Sequence, residues 1–403
     1  MSIRRQPEDF RVRERLRADV LEALAAAPDA GRRWAVMSLE KTSLTTPDAT
    51  ALFAKAVGVA AAKVEHAGLK DKHAITTQHV SVECESRAVA QRAVAGPSGR
   101  GWTSRLIGFA AAPLDADDIE RNEFDILVTD LSRQAAHEML RRSRILEDAA
   151  GGLAIINYFG DQRFGSARHG HGFAATHLLR GDFEQALKLL IATPARKDAG
   201  ARRALTRLCA THWGNFAKLA AEAPKTPERR PLEVLAGGGS FREAFEALPY
   251  FVQQMSVDAL QSSVWNTAAA GLVRSLNDSD TLHADDDFGA MLFPPGRAIS
   301  DEWRRTTVPT PGPDAPPSAL ADAALFAALQ AHGLGSMQSL KIPGLRRPAL
   351  GSWERSLAVT AEAFVLGEPE PDPVAGGRRV RIRTGFALPR GAYATVVLRA
   401  LGQ

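Results

Sequence analysis

The sequence predicts an α+β protein whose sheet domain is made from both ends of the chain, with a largely helical α/β domain inserted between them. Two observations predict this arrangement. Segments in which apolar and polar residues alternate, as they do in half-buried strands, occur before residue 130 and again after residue 378. Long alanine- and leucine-rich stretches with helical spacing dominate from Asn157 onward. We therefore expect a sheet domain over 1–155 plus 346–403 and an inserted domain over 156–345.

The first part of the chain alternates between strand and helix patterns. An alternating segment begins at 7–12, and Leu16, Val20 and Leu24 then recur at helical spacing. Strands are predicted over 34–39, 76–82 and 124–128, and a helix is predicted over 134–149, ending at two glycines. Another helix is predicted from Thr46-Pro47, because proline is tolerated in the first helical turn.

Beyond residue 157 we expect strand patterns to return only near the carboxyl terminus. Proline-containing stretches at 223–231 and 307–318 are expected to be exposed connections. Val380, Ile382 and Thr384 alternate with arginines, and a loop at 389–391 leads into a further apolar segment at 393–398, which we also assign to strand.

Composition bounds the class of protein without identifying its activity. Hydrophobic residues make up 45% and charged residues 24%, as in ordinary globular proteins, and the net charge of +4 is compatible with a polyanionic partner. The chain has two cysteines and no Cys-x-x-Cys pair, which excludes a disulfide framework and a zinc ribbon. Neither a signal peptide nor an apolar run of about eighteen residues is present, so we expect a cytoplasmic protein.

One segment carries the pattern most suggestive of chemistry. Residues 67–78 read Ala-Gly-Leu-Lys-Asp-Lys-His-Ala-Ile-Thr-Thr-Gln, so Asp71 is flanked by Lys70 and Lys72 just before a predicted strand. A solvated charge cluster at a turn is the simpler interpretation. The alternative is that the two cations keep Asp71 ionised, and a positioned carboxylate can act as a nucleophile or as a base.

This segment resembles the signature around the catalytic aspartate of the TruD family of tRNA pseudouridine synthases. Three further blocks resemble TruD motifs in the same order along the chain: Pro-Glu-Asp-Phe-x-Val-x-Glu at 7–14, Asn-Tyr-Phe-Gly-Asp-Gln-Arg-Phe-Gly at 157–165, and Leu-Pro-x-Gly-Ala-Tyr-Ala-Thr at 388–395. The resemblance implies a permuted pseudouridine synthase-like catalytic domain with a mixed, mainly antiparallel sheet. It also implies a family-specific inserted domain, with a cleft for RNA between the two.

The resemblance assigns roles to individual residues of this sequence. Asp71 would be the catalytic residue, supported by the basic residues Arg4 and Lys70; for Arg4 the alternative is a flexible terminal charge. The positions that match the uridine pocket of the family are Phe10, Asn122, Phe124 and Tyr393. Phe10 and Phe124 could equally be core residues of their strands. Candidate RNA contacts are Lys72, Gln162 and Arg163, the last of which could instead form an ion pair at the domain junction.

The activity implied by the resemblance is isomerisation of uridine to pseudouridine in tRNA, with uridine 13 of the D-arm as the target. The reaction involves no redox change, so no cofactor and no metal are expected, and no cofactor motif is found in the sequence. The expected partner is tRNA alone, bound by a monomer. Whether Asp71 attacks the nucleotide or removes a sugar proton stays open.

Two other functions are compatible with parts of this pattern. A non-catalytic RNA-binding or RNA-folding protein would use the same cleft, but it would not require the intact Lys70-Asp71 pair. A Schiff-base enzyme using Lys70 or Lys72 would require a desolvated lysine, which the adjacent aspartate disfavours.

The family usually has glycine where this chain has Arg121, and glutamate where it has Ala400. The arginines at 378, 379, 381 and 383 form either an RNA track or a solvated sheet edge, and we prefer the edge.

Overall fold

The structure is a computed structural model that describes residues 2–29, 31–167, 170–195, 198, 200–286 and 288–403. The chain divides into two compact units, Met1–Ile155 with Val359–Gln403, and Ile156–Ala358. The sequence-based division placed the second boundary at 345/346. Residues 354–356 associate with the second unit, because Glu354–Ser356 pairs as a strand with Thr307–Pro309.

Strands and helices succeed one another as follows. The strands are β1 Phe10–Leu16, β2 Trp34–Thr42, β3 Val64–His66, β4 Ile75–Glu83, β5 Ser98–Gly99, β6 Trp102–Ala110, β7 Ile119–Leu131, β8 Leu153–Ile156, β9 Leu282–Asp286, β10 Gly289–Phe293, β11 Thr307–Pro309, β12 Glu354–Ser356, β13 Ala358–Leu366, β14 Glu370–Pro371 and β15 Val380–Pro389. The helices are α1 Ala18–Glu22, α2 Thr46–Val57, α3 Arg87–Val94, α4 Arg133–Leu146, α5 Ala174–Leu179, α6 Phe183–Leu187, α7 Gly200–His212, α8 Phe216–Glu222, α9 Arg230–Ala236, α10 Phe241–Glu246, α11 Tyr250–Ser275, α12 Asp301–Arg305, α13 Asp322–Ala331 and α14 Ala394–Ala400.

One large mixed sheet organises the first unit. Its strand order is β5-β6-β2-β4-β1-β7-β15-β13-β8, with β3 beside β4 and β14 beside β15. β1 pairs in parallel with β4 and antiparallel with β7, and the pairs β2–β4, β2–β6 and β7–β15 are also antiparallel. The predicted α+β class with a mainly antiparallel sheet is confirmed.

Alternation along the central strands separates a buried face from an exposed face. In β1, Phe10, Val12, Glu14 and Leu16 are buried and the arginines between them are exposed. The presence of a carboxylate on the buried face indicates that Glu14 has partners there, because an unpaired buried charge is costly.

Helix α2 covers one part of this sheet and has clear signals at both ends. Thr45 caps its first turn by accepting a hydrogen bond from the backbone N–H of Asp48, and Pro47 occupies that turn. Gly58 ends the helix with φ at 79°, a left-handed conformation that glycine adopts without steric cost. The helix buries Phe53 and Val57 against the sheet.

The second unit is mainly helical, but the expectation that strands would return only near the carboxyl terminus is wrong. β9 and β10 form one two-stranded sheet and β11 and β12 form another. These strands have three to five residues each, too few for an alternating pattern to stand out, and β11 ends in a proline. Helix α11, with 26 residues, is the longest helix of this unit among the described residues.

Two further expectations for the carboxyl-terminal region are wrong. The segment after Tyr393 is helix α14, which buries Ala394, Val397 and Leu398 at helical spacing; its β-branched valines suggested a strand. The arginine-bearing strand β15 is not a sheet edge, because it lies between β7 and β13. Arg381 and Arg383 of β15, and Arg379 directly before it, pair with acidic side chains of neighbouring strands.

In the described part of the chain, no helix combines the length and the apolar character needed to cross a membrane.

Candidate active site

Asp71 lies in the loop that joins β3 to β4. Its side chain is 24% exposed and accepts a hydrogen bond from Arg4, with 2.6 Å between Nη2 of the arginine and Oδ2 of the aspartate. A hydrogen bond between two charged groups at this distance is short and strong, and it fixes the orientation of the carboxylate. One carboxylate edge is therefore held by a cation in a position that solvent reaches.

Arg4 is itself held in place by its neighbours in the chain. Ser2 exchanges two backbone hydrogen bonds with Thr129 of β7, of 3.0 and 2.8 Å. Arg5 binds both carboxylate oxygens of Asp372, at 3.0 and 2.9 Å. The Arg4 guanidinium lies over the ring of Phe10, with Cζ 4.7 Å from the ring centroid. These contacts exclude a flexible terminal charge.

The residue before Asp71 belongs to a buried charge cluster. Lys70 forms an ion pair with Glu14 of β1, whose side chain is only 1% exposed. Glu14 also accepts hydrogen bonds from the backbone N–H of His79, at 2.8 Å, and from its ring Nδ1, at 3.2 Å. Burial alone would raise the pKa of Glu14, but the hydrogen bonds from His79 and the charge of Lys70 hold that pKa below its ordinary value. The cluster fixes the loop to β1.

A second buried lysine lies under the same loop. Lys41 of β2 is fully buried, and its ammonium donates to the backbone carbonyl of Asp71 at 2.7 Å. Burial lowers the pKa of Lys41 to about 8. Neither Lys41 nor the role of Glu14 was predicted from the sequence. A signal exists for each, since both occupy inward positions of alternating strands, at 35, 37, 39 and 41 in β2 and at 10, 12, 14 and 16 in β1.

An aromatic row crosses three neighbouring strands next to Arg4. Phe10 of β1 meets Phe124 of β7 edge to face, with ring centroids 6.2 Å apart, and Phe124 lies 5.5 Å from Phe386 of β15. Phe10 is only 2% exposed, so its ring supports Arg4 and Phe124 and does not present a free face. Phe124 is half-buried.

Asn122 shares a sheet face with Phe124, two positions along β7. It lies opposite Glu14 of β1 and Leu388 of β15 in the strand register. Its amide oxygen is buried and has no hydrogen-bond partner among the described residues. Buried polar atoms are normally paired, so this unsatisfied oxygen is a candidate acceptor for a ligand donor, although it is closed to solvent in this structure.

The other candidate residues are one neighbour of Asp71, one residue near the carboxyl terminus and two residues of the second unit. Tyr393 is half-buried and immediately precedes α14. Lys72 is exposed. Gln162 and Arg163 belong to the second unit, where Gln162 is exposed and Arg163 pairs with Asp258 of α11 at 3.2 Å. The Arg163 guanidinium also lies 5.7 Å from the ring centroids of both Phe159 and Trp353.

The block at 157–165 is held by contacts within the second unit. Asn266 of α11 accepts from the N–H of Phe159 at 2.8 Å and donates to its carbonyl at 2.9 Å. Arg355 donates to the carbonyl of Asn157 at 2.8 Å and lies over the Phe159 ring at 4.0 Å. Among the described residues, no group of three or more His, Cys, Asp and Glu side chains could hold a metal ion.

Comparison with known proteins identifies the family of the chain. The model of the family "tRNA pseudouridine synthase D (TruD)" matches residues 1–289. The chain belongs to the TruD family. The family predicted from the four sequence blocks is therefore confirmed, and the chain is a tRNA pseudouridine synthase, an isomerase.

Other TruD proteins match along nearly the whole chain. The "tRNA pseudouridine synthase D" of Aquifex aeolicus is 28% identical over 401 residues, which cover 99% of this chain and 97% of that protein. The "Probable tRNA pseudouridine synthase D" of Halobacterium salinarum is 31% identical over 431 residues, covering 98% and 92% respectively. The crystal structure of a TruD protein from Methanosarcina mazei aligns with a TM-score of 0.68 at 22% identity, over 99% of this chain and 92% of that chain, which shows a shared TruD fold.

Proposed function

We propose that Asp71 is the carboxylate that starts the conversion of uridine to pseudouridine in this TruD enzyme. The observation that carries the proposal is its short hydrogen bond to Arg4, whose guanidinium is held over Phe10 beside the aromatic row. The reaction breaks the bond between C1′ and N1, turns the uracil and re-forms the link through C5. The atoms of the product are those of the substrate, so the proposed chemistry needs no cofactor.

The uracil is proposed to bind beside Phe124 and Asn122. The unpaired amide oxygen of Asn122 is an acceptor for the imide N–H of uracil, the donor on its base-pairing edge. The half-buried ring of Phe124 and the ring of Tyr393 are the proposed stacking surfaces. Extruding a base from its stack costs a few kcal/mol, and aromatic stacking of about 1–3 kcal/mol per base offsets this cost.

The wider assignment follows the family resemblance. We propose uridine 13 of the D-arm as the target, tRNA as the partner of a monomeric enzyme, and the cytoplasm as the compartment. The first unit is the proposed catalytic domain, and the second unit is the proposed family-specific insertion. Lys72, Gln162 and Arg163 are proposed RNA contacts. Lys72 and Gln162 are exposed, whereas Arg163 would have to share its guanidinium with Asp258.

The experiment is to map pseudouridine in tRNA after incubation with purified protein. We expect modification of uridine 13 by the native enzyme and none by Asp71→Asn, with tRNA affinity changed by less than about tenfold, or roughly 1.4 kcal/mol. Asp19→Asn is the matched control, because Asp19 is an exposed carboxylate that also binds an arginine, Arg17. A tRNA with cytidine at position 13 tests the target. Full turnover by Asp71→Asn would refute the catalytic assignment.

A further inference from the structure

Lys41 has the unusual setting of a lysine whose side chain is entirely buried beneath the Asp71 loop. Its residue is 0% exposed, and it occupies an inward position of β2 opposite Thr76 of β4 and Trp102 of β6. Long charged side chains are almost never fully buried unless their charge is paired or hydrogen-bonded. The partners of this ammonium therefore indicate why it is retained.

The ammonium of Lys41 donates to three backbone carbonyl oxygens, the full donor capacity of a protonated lysine. The acceptors are Asp71 at 2.7 Å, Leu44 at 2.9 Å and, more weakly, Lys70 at 3.4 Å. Two of these carbonyls belong to the loop that carries Asp71, and the third belongs to the connection between β2 and α2. The lysine thus ties the loop to the β2–α2 connection by its main chain, without using the Asp71 carboxylate.

A second contact, from the first residue of α2, binds a backbone N–H of the same loop. The hydroxyl of Thr46 accepts a hydrogen bond from the backbone N–H of Lys70 at 2.9 Å and donates to Oε1 of Gln78 at 2.9 Å. Thr46 and Gln78 are both buried. The backbone N–H of Lys70 is therefore held by Thr46, while the backbone carbonyl of Asp71 is held by Lys41.

We propose that Lys41 is a positioning residue for catalysis, whose protonated side chain holds the main chain of Asp71 so that the carboxylate faces the substrate. The inference rests on the proposed role of Asp71. It assigns Lys41 no contact with substrate. Displacing a reacting group by about 1 Å can lower a rate by about 100-fold, so three hydrogen bonds to the main chain of this loop are enough to matter.

The proposal predicts that the positioning depends on pH. Burial lowers the pKa of Lys41 to about 8, with Asp71 acting to raise it and Lys70 acting to lower it. The strand neighbours Thr76 and Trp102 carry no charge, and Asp48 at the start of α2 is exposed and hydrogen-bonded to Thr45. As the pH rises through about 8, Lys41 loses its charge and one of its three donors. Local opening of the loop removes the carbonyl acceptors of Lys41 but leaves its side chain buried in the sheet, so for this step the protonated lysine favours the closed loop. The loop is therefore held less firmly once the proton is lost.

Loss of this proton does not by itself unfold the protein. Because the pKa of Lys41 is lower in the folded chain than in the unfolded chain, the unfolded chain binds more protons between the two pKa values, and this group favours the folded state more as the pH rises there. An alkaline fall in rate caused by Lys41 would therefore occur without an unfolding transition attributable to the same group.

The first test compares kcat and KM of native enzyme, Lys41→Met and Lys63→Met on tRNA between about pH 6.5 and 9. Lys63 is an exposed lysine paired with Glu85, which makes it the matched control. We expect Lys41→Met to lower kcat at least about tenfold with little change in KM, and to lose the alkaline fall in kcat that the native enzyme and Lys63→Met share. Native kcat in Lys41→Met, or an alkaline fall with an unchanged midpoint, would overturn the proposal.

The second test needs no variant and no catalysis, so it decides the matter if Lys41→Met does not fold. Amide hydrogen exchange of the native enzyme is followed for a peptide covering residues 67–74, with a peptide from α4 as the internal reference. The exchange rates are corrected for the pH dependence of exchange in an unstructured peptide. We expect protection of the 67–74 peptide to fall relative to α4 as the pH crosses about 8. Constant relative protection would refute the role of Lys41. Because this readout is independent of turnover, it also separates a failure of the Lys41 proposal from a failure of the Asp71 assignment.

Discussion

Nη2 of Arg4 and Oδ2 of Asp71 lie 2.6 Å apart although 67 positions separate the two residues in the chain. The pairing is a consequence of the sheet. The parallel register of β1 and β4 brings the residues before Phe10 and the residues before Ile75 to the same end of the sheet. Arg4 precedes β1 and Asp71 precedes β4, so the two side chains meet where these neighbouring strands begin. The aromatic ring of Phe10 lies under the Arg4 guanidinium.

The first prediction concerns this cation. Arg4→Met removes the hydrogen bond that orients Asp71, and we expect kcat to fall by about 100-fold, the order found when one preorganised donor is removed from an active site. Arg4→Lys should restore part of the rate, since it returns a charge without the planar fork of the guanidinium. Arg17→Met, which removes an exposed arginine that also binds an aspartate, is the control. Equal rates for Arg4→Met and Arg17→Met would contradict the assignment.

The second prediction concerns the anchor of the amino-terminal segment. Asp372 is almost fully buried and accepts hydrogen bonds from Nη1 and Nη2 of Arg5 and from the backbone N–H of Asp130. The hydrogen bond from Arg5, opposed by burial, holds the pKa of Asp372 well below its ordinary value. We expect Asp372→Asn to lower the free energy of unfolding at neutral pH by about 2 kcal/mol, since hydrogen bonds to charged groups contribute about 1.5–3 kcal/mol each.

The pH dependence of that loss follows from the direction of the pKa shift. A carboxyl whose pKa is depressed on folding contributes stability above its unfolded pKa of about 3.9, and this stability is lost as the pH falls toward the folded value. Urea titrations should therefore show that the free energy of unfolding of native protein exceeds that of Asp372→Asn by less at about pH 3 than at about pH 7. An equal difference in the free energy of unfolding at both pH values would show that the carboxylate charge is not the cause.

The sequence predicted the parts of the site that depend on local pattern. The predicted strands at 34–39, 76–82 and 124–128 lie inside β2, β4 and β7, and the segment with Asp71 directly precedes β4. These elements are long. Residues 76–82 and 124–128 alternate and residues 34–39 form a mainly apolar run, so the hydrophobic pattern identifies them. The strand over Trp102–Ala110 was missed, because its burial follows no strict alternation.

Long-range polar contacts could not be predicted in the same way. Lys41 and Asp71 meet because β2 and β4 are paired in the register that puts Lys41 opposite Thr76. A lysine at an inward strand position is a visible irregularity, but its partners are backbone carbonyls, which carry no sequence signal. Asp372 and Arg5 are likewise joined only by the folded sheet, and nothing in the local sequence of either residue indicates the other.

The third prediction concerns Glu14 and Lys70. Glu14→Gln leaves the Lys70 ammonium without its carboxylate, and we expect the free energy of unfolding to fall by about 3 kcal/mol, the loss typical of breaking a buried pair. The double variant Glu14→Gln with Lys70→Met should recover part of this loss, since the unpaired charge is gone. Glu40→Gln, an exposed glutamate on β2, is the control. Additive losses in the double-mutant cycle would show that the pair is not coupled.

The last prediction concerns how the enzyme holds RNA. Contacts between cationic side chains and phosphates release counterions, so tRNA affinity should fall steeply with salt, with a slope that counts the phosphates bound. Lys72 is exposed next to Asp71, and we expect Lys72→Ala to weaken binding and to reduce the slope of log affinity against log salt by about one unit. Lys63→Ala, which removes an exposed lysine already paired with Glu85, should leave the slope unchanged. The measurement is a filter-binding titration at several salt concentrations. A slope near zero for the native enzyme would contradict a phosphate-dominated interface, and an unchanged slope in Lys72→Ala would remove Lys72 from it.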